Sequence, residues 1–226
     1  YDDDYAGEDG AQVVRREAGA VLALEGSTIH AIGLGTATVS INGKEYTVSV
    51  EKAKVNIILV GGQSNATGEY NGNYLVDNRD KFDVAPVECD KGTAYLWGRS
   101  ATEPAQLTGM LGRGWRSSLA KELYAETHVK TAIVYDNPLT ARPGANINEW
   151  QDDDTTANPD VGISAAMVKA CYDYFNNSQY YDVESCGLYW LQGEANASND
   201  PDTYYIAFMN MYNALKATSP VEYCAF

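Results

Sequence analysis

The chain has 226 residues and a formal net charge of −15, from 31 acidic and 16 basic residues, and 45% of its residues are hydrophobic. This length and apolar content suffice for one full domain and part of a second, while the acidic charge repels nucleic-acid phosphates and excludes DNA and RNA as main partners. No run approaches the roughly 18 consecutive apolar residues that span a bilayer, so membrane insertion is not expected.

The first 53 residues have the sequence character of β-strands. In the run GTATVSINGKEYTVSVEKA, alternating Thr and Val residues flank the dipeptide Asn42–Gly43, and this pattern predicts a β-hairpin. Two strands alone are only marginally stable in water, and residues 1–34 add one or two further candidates, so we do not expect the hairpin to be a complete domain.

From Val55 onward, predicted strands alternate with predicted helices. Three continuous apolar runs indicate strands that are buried on both faces: VNIILV, VKTAIVYD and SCGLYWL. The helical stretches are GWRSSLAKELYAE, GISAAMVKACYDYFNN and PDTYYIAFMNMYNALKA, the last with Asp200 as its N-cap and Pro201 at its first position. The alternation predicts an α/β fold, a mostly parallel sheet with helices on both faces.

Polar residues stand where the predicted strands end. Ser64 follows the first strand, Gln192 and Glu194 follow SCGLYWL, and another loop follows VKTAIVYD. Because parallel strands end at one edge of a sheet, we expect these segments to meet there. Ser64 is either a turn residue or a nucleophile, and a nucleophile would need a base and hydrogen-bond donors for the oxyanion. The segment Gly-x-Ser-x-Ala at 62–66 nearly matches the nucleophile elbow of α/β-hydrolases, but here the serine follows the first strand rather than a central one.

Three segments together resemble the SGNH (GDSL-like) hydrolases, and within them the carbohydrate esterases related to sialate O-acetylesterase and acetylxylan esterase. GQSNATG at 62–68 is similar to the first sequence block of that group, RPGANINEW at 142–150 to its G-G-[ST]-x-I-x-x-W segment, and WLQGEAN at 190–196 to its Q-G-E-[SA]-[ND] block. The resemblance implies that residues 54–226 form a three-layer α/β/α domain with a flavodoxin-like parallel sheet.

The resemblance also implies a role for each matching residue. The family's nucleophile falls on Ser64, and its oxyanion donors fall on the backbone N–H groups of Ser64 and Gly144 and on the side-chain amide of Gln192. Asn65 is then a hydrogen-bonding loop residue, and Glu194 is a carboxylate that orients its loop without a chemical role.

The implied activity is the removal of O-acetyl groups from a glycan of the acetylxylan or sialate type, through an acyl-serine intermediate. The implied partner is an acetylated carbohydrate, and no metal or cofactor is needed. Pro143 departs from the first glycine of the family segment, and since proline has no N–H, Gly144 must donate alone. Asn196 is expected to be a hydrogen-bonding loop residue, like Asn65.

A second resemblance lies in the β part. STIHAIGLGTATVSI at 27–41 is similar to the closing half of a bacterial immunoglobulin-like domain. This implies that residues 1–53 are the C-terminal part of an immunoglobulin-like β-sandwich and that the protein is bacterial, and secreted or attached to the cell surface.

A serine esterase also needs a general base, usually histidine, and the sequence has two, His30 and His128. His30 belongs to the β part and His128 precedes a strand at the opposite edge of the sheet, so we expect neither to reach Ser64. The family takes its base from a D-x-x-H segment near the C-terminus of the domain, which these 226 residues lack. Either they are an excerpt of a longer esterase, which we favour, or they form a carbohydrate-binding protein without catalysis. In both cases these residues alone should be nearly inactive.

The four cysteines are widely spaced and form no C-x-x-C pair, which argues against a disulfide framework or a zinc site. Cys186 and Cys224 lie in apolar runs, and we expect both to be buried free thiols.

Overall fold

The computed structural model describes residues 5–6, 12–14, 20–25, 28–67, 89–107, 115–151 and 159–226. The chain divides into two compact units, Tyr1–Ala53 and Lys54–Phe226. We call them the β unit and the α/β unit.

The β unit consists of short antiparallel strands. They are β1 (Tyr5–Ala6), β2 (Gln12–Val14), β3 (Leu22–Glu25), β4 (Thr28–Ala31), β5 (Gly35–Ile41) and β6 (Lys44–Val50). One sheet has the order β1-β2-β5-β6, and β3 and β4 form a separate hairpin. Leu22 packs with Ala37 and Val39 in a small apolar cluster.

The predicted hairpin is confirmed. Asn42 and Gly43 join β5 to β6, with φ angles of 53° and 76°. Positive φ at both central residues is the type I′ turn that Asn-Gly favours, because its twist matches that of the two strands. The immunoglobulin-like assignment of this unit stays a prediction.

The α/β unit contains the longer elements. Its strands are β7 (Ala53–Gly62, which begins at the unit boundary), β8 (Ala94–Trp97), β9 (Ala105–Gln106), β10 (Lys130–Val134), β11 (Tyr181–Leu191) and β12 (Tyr223–Ala225). Its helices are α1 (Ser64–Thr67), α2 (Trp115–Thr127), α3 (Val161–Asn176) and α4 (Pro201–Thr218), with 3-10 helices at Ile147–Gln151 and Glu194–Asn196. Asp200 caps α4 by accepting a hydrogen bond from the Thr203 N–H at 3.0 Å, as predicted.

Six strands form one sheet in the order β12-β11-β7-β10-β8-β9. β10 pairs in parallel with β7 and β8, and β11 with β12, whereas β9 is antiparallel to β8. β7 and β11 also run in one direction, since Asn56 lies beside Ser185 and Gln63 beside Leu191. The predicted mostly parallel sheet is therefore confirmed.

The strand order differs from the flavodoxin-like order that we expected. Numbered along the chain (β7, β8, β10, β11, β12), the parallel strands of the described residues lie in the order 2-3-1-4-5, whereas a flavodoxin-like sheet has the order 2-1-3-4-5. β8 lies outside β10 because its aromatic residues pack against α3: Tyr95 contacts Phe175, and Trp97 contacts Tyr174.

Helices cover both faces of the sheet. Along β7 the side chains alternate between two apolar clusters, as the twofold period of a strand requires. One cluster joins Val55, Ile57 and Leu59 to α3 and α4, and the other joins Ile58 and Val60 to Ala120 of α2. This is the three-layer arrangement that the alternation of elements predicts. None of the helices in the described ranges is long and apolar enough to cross a bilayer.

Two of the four cysteines lie in the core of the α/β unit. Cys171 of α3 and Cys186 of β11 are buried, whereas Cys224 is only partly buried, and all are free thiols. Burial raises the pKa of the Cys186 thiol to about 12. The expectation of a buried thiol thus holds for Cys186 and is too strong for Cys224, because β12 is an edge strand.

We expect Cys186 to be unreactive toward a disulfide reagent such as dithionitrobenzoate in the folded protein at pH 8. With a pKa of about 12, about one Cys186 thiol in 10⁴ is ionised at that pH, against roughly a quarter of exposed thiols. Mass spectrometry of labelled peptides, with and without guanidinium chloride, measures this. Labelling of native Cys186 as fast as in the unfolded chain would contradict the burial.

Candidate active site

The end of β7 is enclosed by two other segments. The Gly62 N–H donates to the Thr140 carbonyl at 3.2 Å, and the Gly62 carbonyl accepts from the Arg142 N–H at 3.1 Å. On the other side, a Cβ atom on Gly62 would lie 2.0 Å from the Leu191 carbonyl oxygen. Gly62 also has a φ of 139°, which L side chains rarely adopt. Glycine is therefore required here, immediately before the segment that carries Ser64.

Ser64 is the first residue of the four-residue helix α1 and is half-buried. Its carbonyl accepts from the Thr67 hydroxyl at 2.7 Å. Its N–H has no acceptor among the described residues. The first N–H groups of a helix have no partner within the helix, so this one is available to a ligand.

The segment after β10 presents a second such group. Arg142 to Ala145 form a turn closed by the Ala145 N–H donating to the Arg142 carbonyl at 3.1 Å. Pro143 at the second position and Gly144 at the third, with φ of 74°, match a type II turn. In such a turn the central peptide takes no part in the closing hydrogen bond. The Gly144 N–H accordingly has no acceptor in the described part of the chain.

Gln192 connects this turn to the loop after β11. Its side-chain Nε2 donates to the Ala145 carbonyl at 3.1 Å and to Asn196 Oδ1 at 2.6 Å. Asn196 Oδ1 also accepts from the Ile147 N–H at 3.0 Å. The predicted oxyanion donor therefore has both amide hydrogens engaged, because an amide nitrogen carries two. Donation by Gln192 stays a prediction, and this geometry does not favour it.

The segment that carries Ser64 is joined to the same loop. Gln63 is only 4% exposed, and its Oε1 accepts from the Ala195 N–H at 2.9 Å. The Asn65 side-chain amide donates to a carboxylate oxygen of Glu194. The structure thus brings two of the predicted site residues, Asn65 and Glu194, into contact and places Ser64 beside the loop that begins at Gln192. Gly68, the last residue of the 62–68 block, lies outside the described residues.

Tyr204 of α4 holds the main chain at Gln192. Its hydroxyl accepts from the Trp190 indole N–H at 3.1 Å and donates to the Gln192 carbonyl at 3.2 Å. Burial raises the pKa of the Tyr204 phenol, so the hydroxyl stays protonated and can donate at neutral pH. The sequence analysis did not predict this polar contact.

Arg116, at the start of α2, is a further residue that sequence reasoning missed. It is buried, and its guanidinium donates to the carbonyls of Ala66 and Thr67 at 3.1 and 2.9 Å. The same group lies 4.0 Å from the centre of the Tyr135 ring, in cation–π geometry. It thereby supports the C-terminal end of the helix that begins at Ser64. No local sequence signal marks a buried arginine of this kind.

An ion pair that the sequence analysis did not predict stabilises the segment that contains the Arg142–Ala145 turn. Glu149 accepts from the Arg142 guanidinium through one oxygen and from the Asn146 N–H at 2.9 Å through the other. Asn146 and Glu149 thus make a capping box on the 3-10 helix Ile147–Gln151. The Asn-x-x-Glu spacing is a signal that the sequence does carry.

The α/β unit places no histidine at this edge of the sheet. Its single histidine in the sequence, His128, stands between α2 and β10, at the N-terminal end of the parallel strands. Its ring packs edge-on against Tyr124, 6.0 Å away. His30 lies in β4 of the β unit. Among the described residues, no three His, Cys, Asp or Glu side chains come together as a metal site.

We expect Gly62→Ala to destabilise the α/β unit by at least about 3 kcal/mol, because it combines backbone strain with a clash against Leu191. Gly193→Ala is a matched control. Gly193 has a similar φ of 146° but open space around its missing Cβ, so this change should cost only about 1 to 2 kcal/mol. Urea unfolding followed by tryptophan fluorescence measures both, since all four tryptophans lie in the α/β unit. Equal losses would contradict the clash.

Comparisons with known proteins do not assign a family. No family model matches the chain, and no curated protein matches it significantly. Among solved structures, the chain is similar to a carbohydrate acetylesterase from Xanthomonas citri, with 19% identity and a TM-score of 0.39. The alignment covers 86% of this chain and 46% of that one, so the chain spans less than half of that protein. A likeness at this level carries no functional conclusion.

Proposed function

We propose that the α/β unit is a serine esterase of the SGNH type that removes O-acetyl groups from a carbohydrate. One observation carries the proposal: a serine hydroxyl and two backbone N–H groups without acceptors belong to segments that meet at one strand end. The segments are held together by the hydrogen bonds between Gly62, Thr140 and Arg142. The choice of a carbohydrate ester rests on the resemblance of the segments 62–68, 142–150 and 190–196 to that group of esterases.

In the proposed reaction, Ser64 Oγ attacks the acetyl carbonyl and its proton passes to a base. The carbonyl oxygen becomes an oxyanion that accepts hydrogen bonds from the N–H groups of Ser64 and Gly144. When the C–O bond to the sugar breaks, the sugar oxygen takes the proton, and water then hydrolyses the acetyl-serine. One well-placed oxyanion donor contributes roughly 10² to 10³-fold to the rate.

Residues 54–226 provide no histidine base beside Ser64, because their single histidine, His128, lies at the opposite edge of the sheet. A serine hydroxyl keeps the high pKa of an alcohol without a base beside it and is a weak nucleophile at neutral pH. Positioned donors alone leave a residual enhancement of roughly 10³ to 10⁴-fold over water. The proposal therefore takes the base from outside this unit, and dissolved imidazole can replace it in an assay.

The placement of His128 favours a second candidate function. An α/β unit without a histidine near Ser64 suits a carbohydrate-binding protein that has no turnover. In that case the polar groups at the strand ends would bind a glycan, and Ser64 would be one contact among several. The two candidates differ in whether release of acetate depends on the Ser64 hydroxyl.

The experiment measures acetate release from p-nitrophenyl acetate and from acetylated xylan oligosaccharides, with and without imidazole. We expect a low rate without imidazole and an added rate with imidazole beyond that of imidazole alone. Ser64→Ala should lower this added rate by about 10²-fold or more. Ser100→Ala changes an exposed turn serine after β8 and should leave it unaltered.

Undiminished acetate release in Ser64→Ala would remove the nucleophile and with it the esterase. Binding of the oligosaccharides without any release that depends on Ser64 would instead support the non-catalytic candidate.

A further inference from the structure

We propose that Gln192 holds the turn that carries the Gly144 N–H and does not itself donate to the oxyanion. Asn196 is the positioning residue that fixes the orientation of the Gln192 amide. This inference rests on the proposed esterase function, because it assigns roles within the same site. It replaces a three-donor oxyanion site by a two-donor site with a supporting side-chain network.

The orientation of Asn196 follows from its backbone partner. The side chain is only 4% exposed, and the atom at 3.0 Å from it is the Ile147 nitrogen. A backbone N–H can only donate, so the Asn196 atom that faces it must be the oxygen. Asn196 Nδ2 then points elsewhere, and it is buried without a partner.

The orientation of Gln192 follows from that of Asn196. One end of its carboxamide faces two acceptors, Asn196 Oδ1 at 2.6 Å and the Ala145 carbonyl at 3.1 Å. That end must be the NH₂ group, since an oxygen there would meet two other oxygens. Its two hydrogens are then both in use. Gln63 Oε1, at 3.5 Å, lies beyond ordinary hydrogen-bond length.

The part of Gln192 that remains is an acceptor. Its Oε1 is buried and has no partner, and a carbonyl oxygen cannot donate to an oxyanion. The orientation that serves Asn196 and Ala145 is therefore the wrong one for oxyanion stabilisation. Turning the amide over would sacrifice both hydrogen bonds.

What this network does hold is the Ala145–Asn146 peptide, directly after the turn that carries the Gly144 N–H. Gly144 is exposed, has no side chain to pack, and has a φ of 74°, which glycine adopts without strain. Gly144 itself therefore does little to hold its N–H in one direction. The bond from Gln192 to the Ala145 carbonyl restrains this peptide, and the bond from the Ile147 N–H to Asn196 restrains the chain two residues further. Together with the closing bond from the Ala145 N–H to the Arg142 carbonyl, they restrain the turn that carries the Gly144 N–H.

The two roles predict opposite effects of Asn196→Leu. If Gln192 positions the turn, the variant should lose roughly 10- to 100-fold in the Ser64-dependent kcat, with KM little changed. If Gln192 is an oxyanion donor, removal of its competing acceptor frees an amide hydrogen, and kcat should stay equal or rise. Asn196→Asp keeps the acceptor oxygen and should restore most of the lost rate. Asn199→Leu, an exposed change in the same loop, is the control and should have no effect.

A second measurement does not depend on catalysis. Hydrogen exchange of side-chain amides by NMR should show both Gln192 NH₂ protons protected in the unaltered protein, compared with those of exposed Gln179. Asn196→Leu should remove that protection and speed exchange of the Ile147 N–H. Gln192 protons that exchange as fast as those of Gln179, or a folded Asn196→Leu with undiminished kcat, would overturn the proposal. If the Gln192 NH₂ protons are protected but no hydrolysis depends on Ser64, the proposed orientation of Gln192 stands and only the proposed esterase activity is refuted.

Discussion

The arrangement of the candidate site depends on the close approach of β7 to β11 at Gly62. A Cβ there would lie 2.0 Å from the Leu191 carbonyl oxygen, so the two strand ends can meet only if residue 62 has no side chain. That approach lets Gln63 donate its N–H to the Leu191 carbonyl at 2.9 Å. It also brings the helix that begins at Ser64 against the loop that begins at Gln192. Larger residues at position 62 would separate the serine from the groups proposed to serve it.

The topology of the sheet explains why this position suits a ligand. From β7 the chain forms β8 and β10 on one side and later β11 and β12 on the other. Loops leave the strand ends in opposite directions where the order reverses, and such crevices are the usual ligand sites of open α/β sheets. Ser64 follows β7 and Gln192 follows β11, so both stand at this reversal. In a flavodoxin-like order the reversal would lie between the first and third strands, here β7 and β10. Because β10 lies on the same side of β7 as β8, the crevice is instead between β7 and β11.

Local patterns predicted much of this fold. The apolar runs that became β7, β10 and β11 could be recognised because strands buried on both faces are uniformly apolar. Asn42–Gly43 and Asp200–Pro201 predicted their turn and helix start through backbone preferences that need no tertiary contact. The position of β8 could not be predicted, since it depends on Tyr95 and Trp97 packing against a helix about 80 residues later in the sequence.

The same limit applies to the site. The strand-end rule brought the segments of Ser64 and Gln192 together, but the direction of the Gln192 amide is set by Asn196 and, through it, by the Ile147 N–H from a separate segment. Arg116 likewise reaches the end of α1 from a distant helix. Hydrogen-bond direction in buried networks is a property of the folded assembly, and sequence resemblance does not convey it.

The central claim, that Ser64 is a nucleophile served by two backbone donors, is tested most directly by a crystal structure of the phosphonylated protein. The protein would be treated with a fluorophosphonate in the presence of imidazole. The account predicts a phosphonyl group on Ser64 Oγ whose oxygen lies about 3 Å from the nitrogens of Ser64 and Gly144, with Gln192 still bonded to Ala145 and Asn196. A phosphonyl oxygen that contacts neither nitrogen, or modification of other serines with Ser64 unchanged, would contradict it.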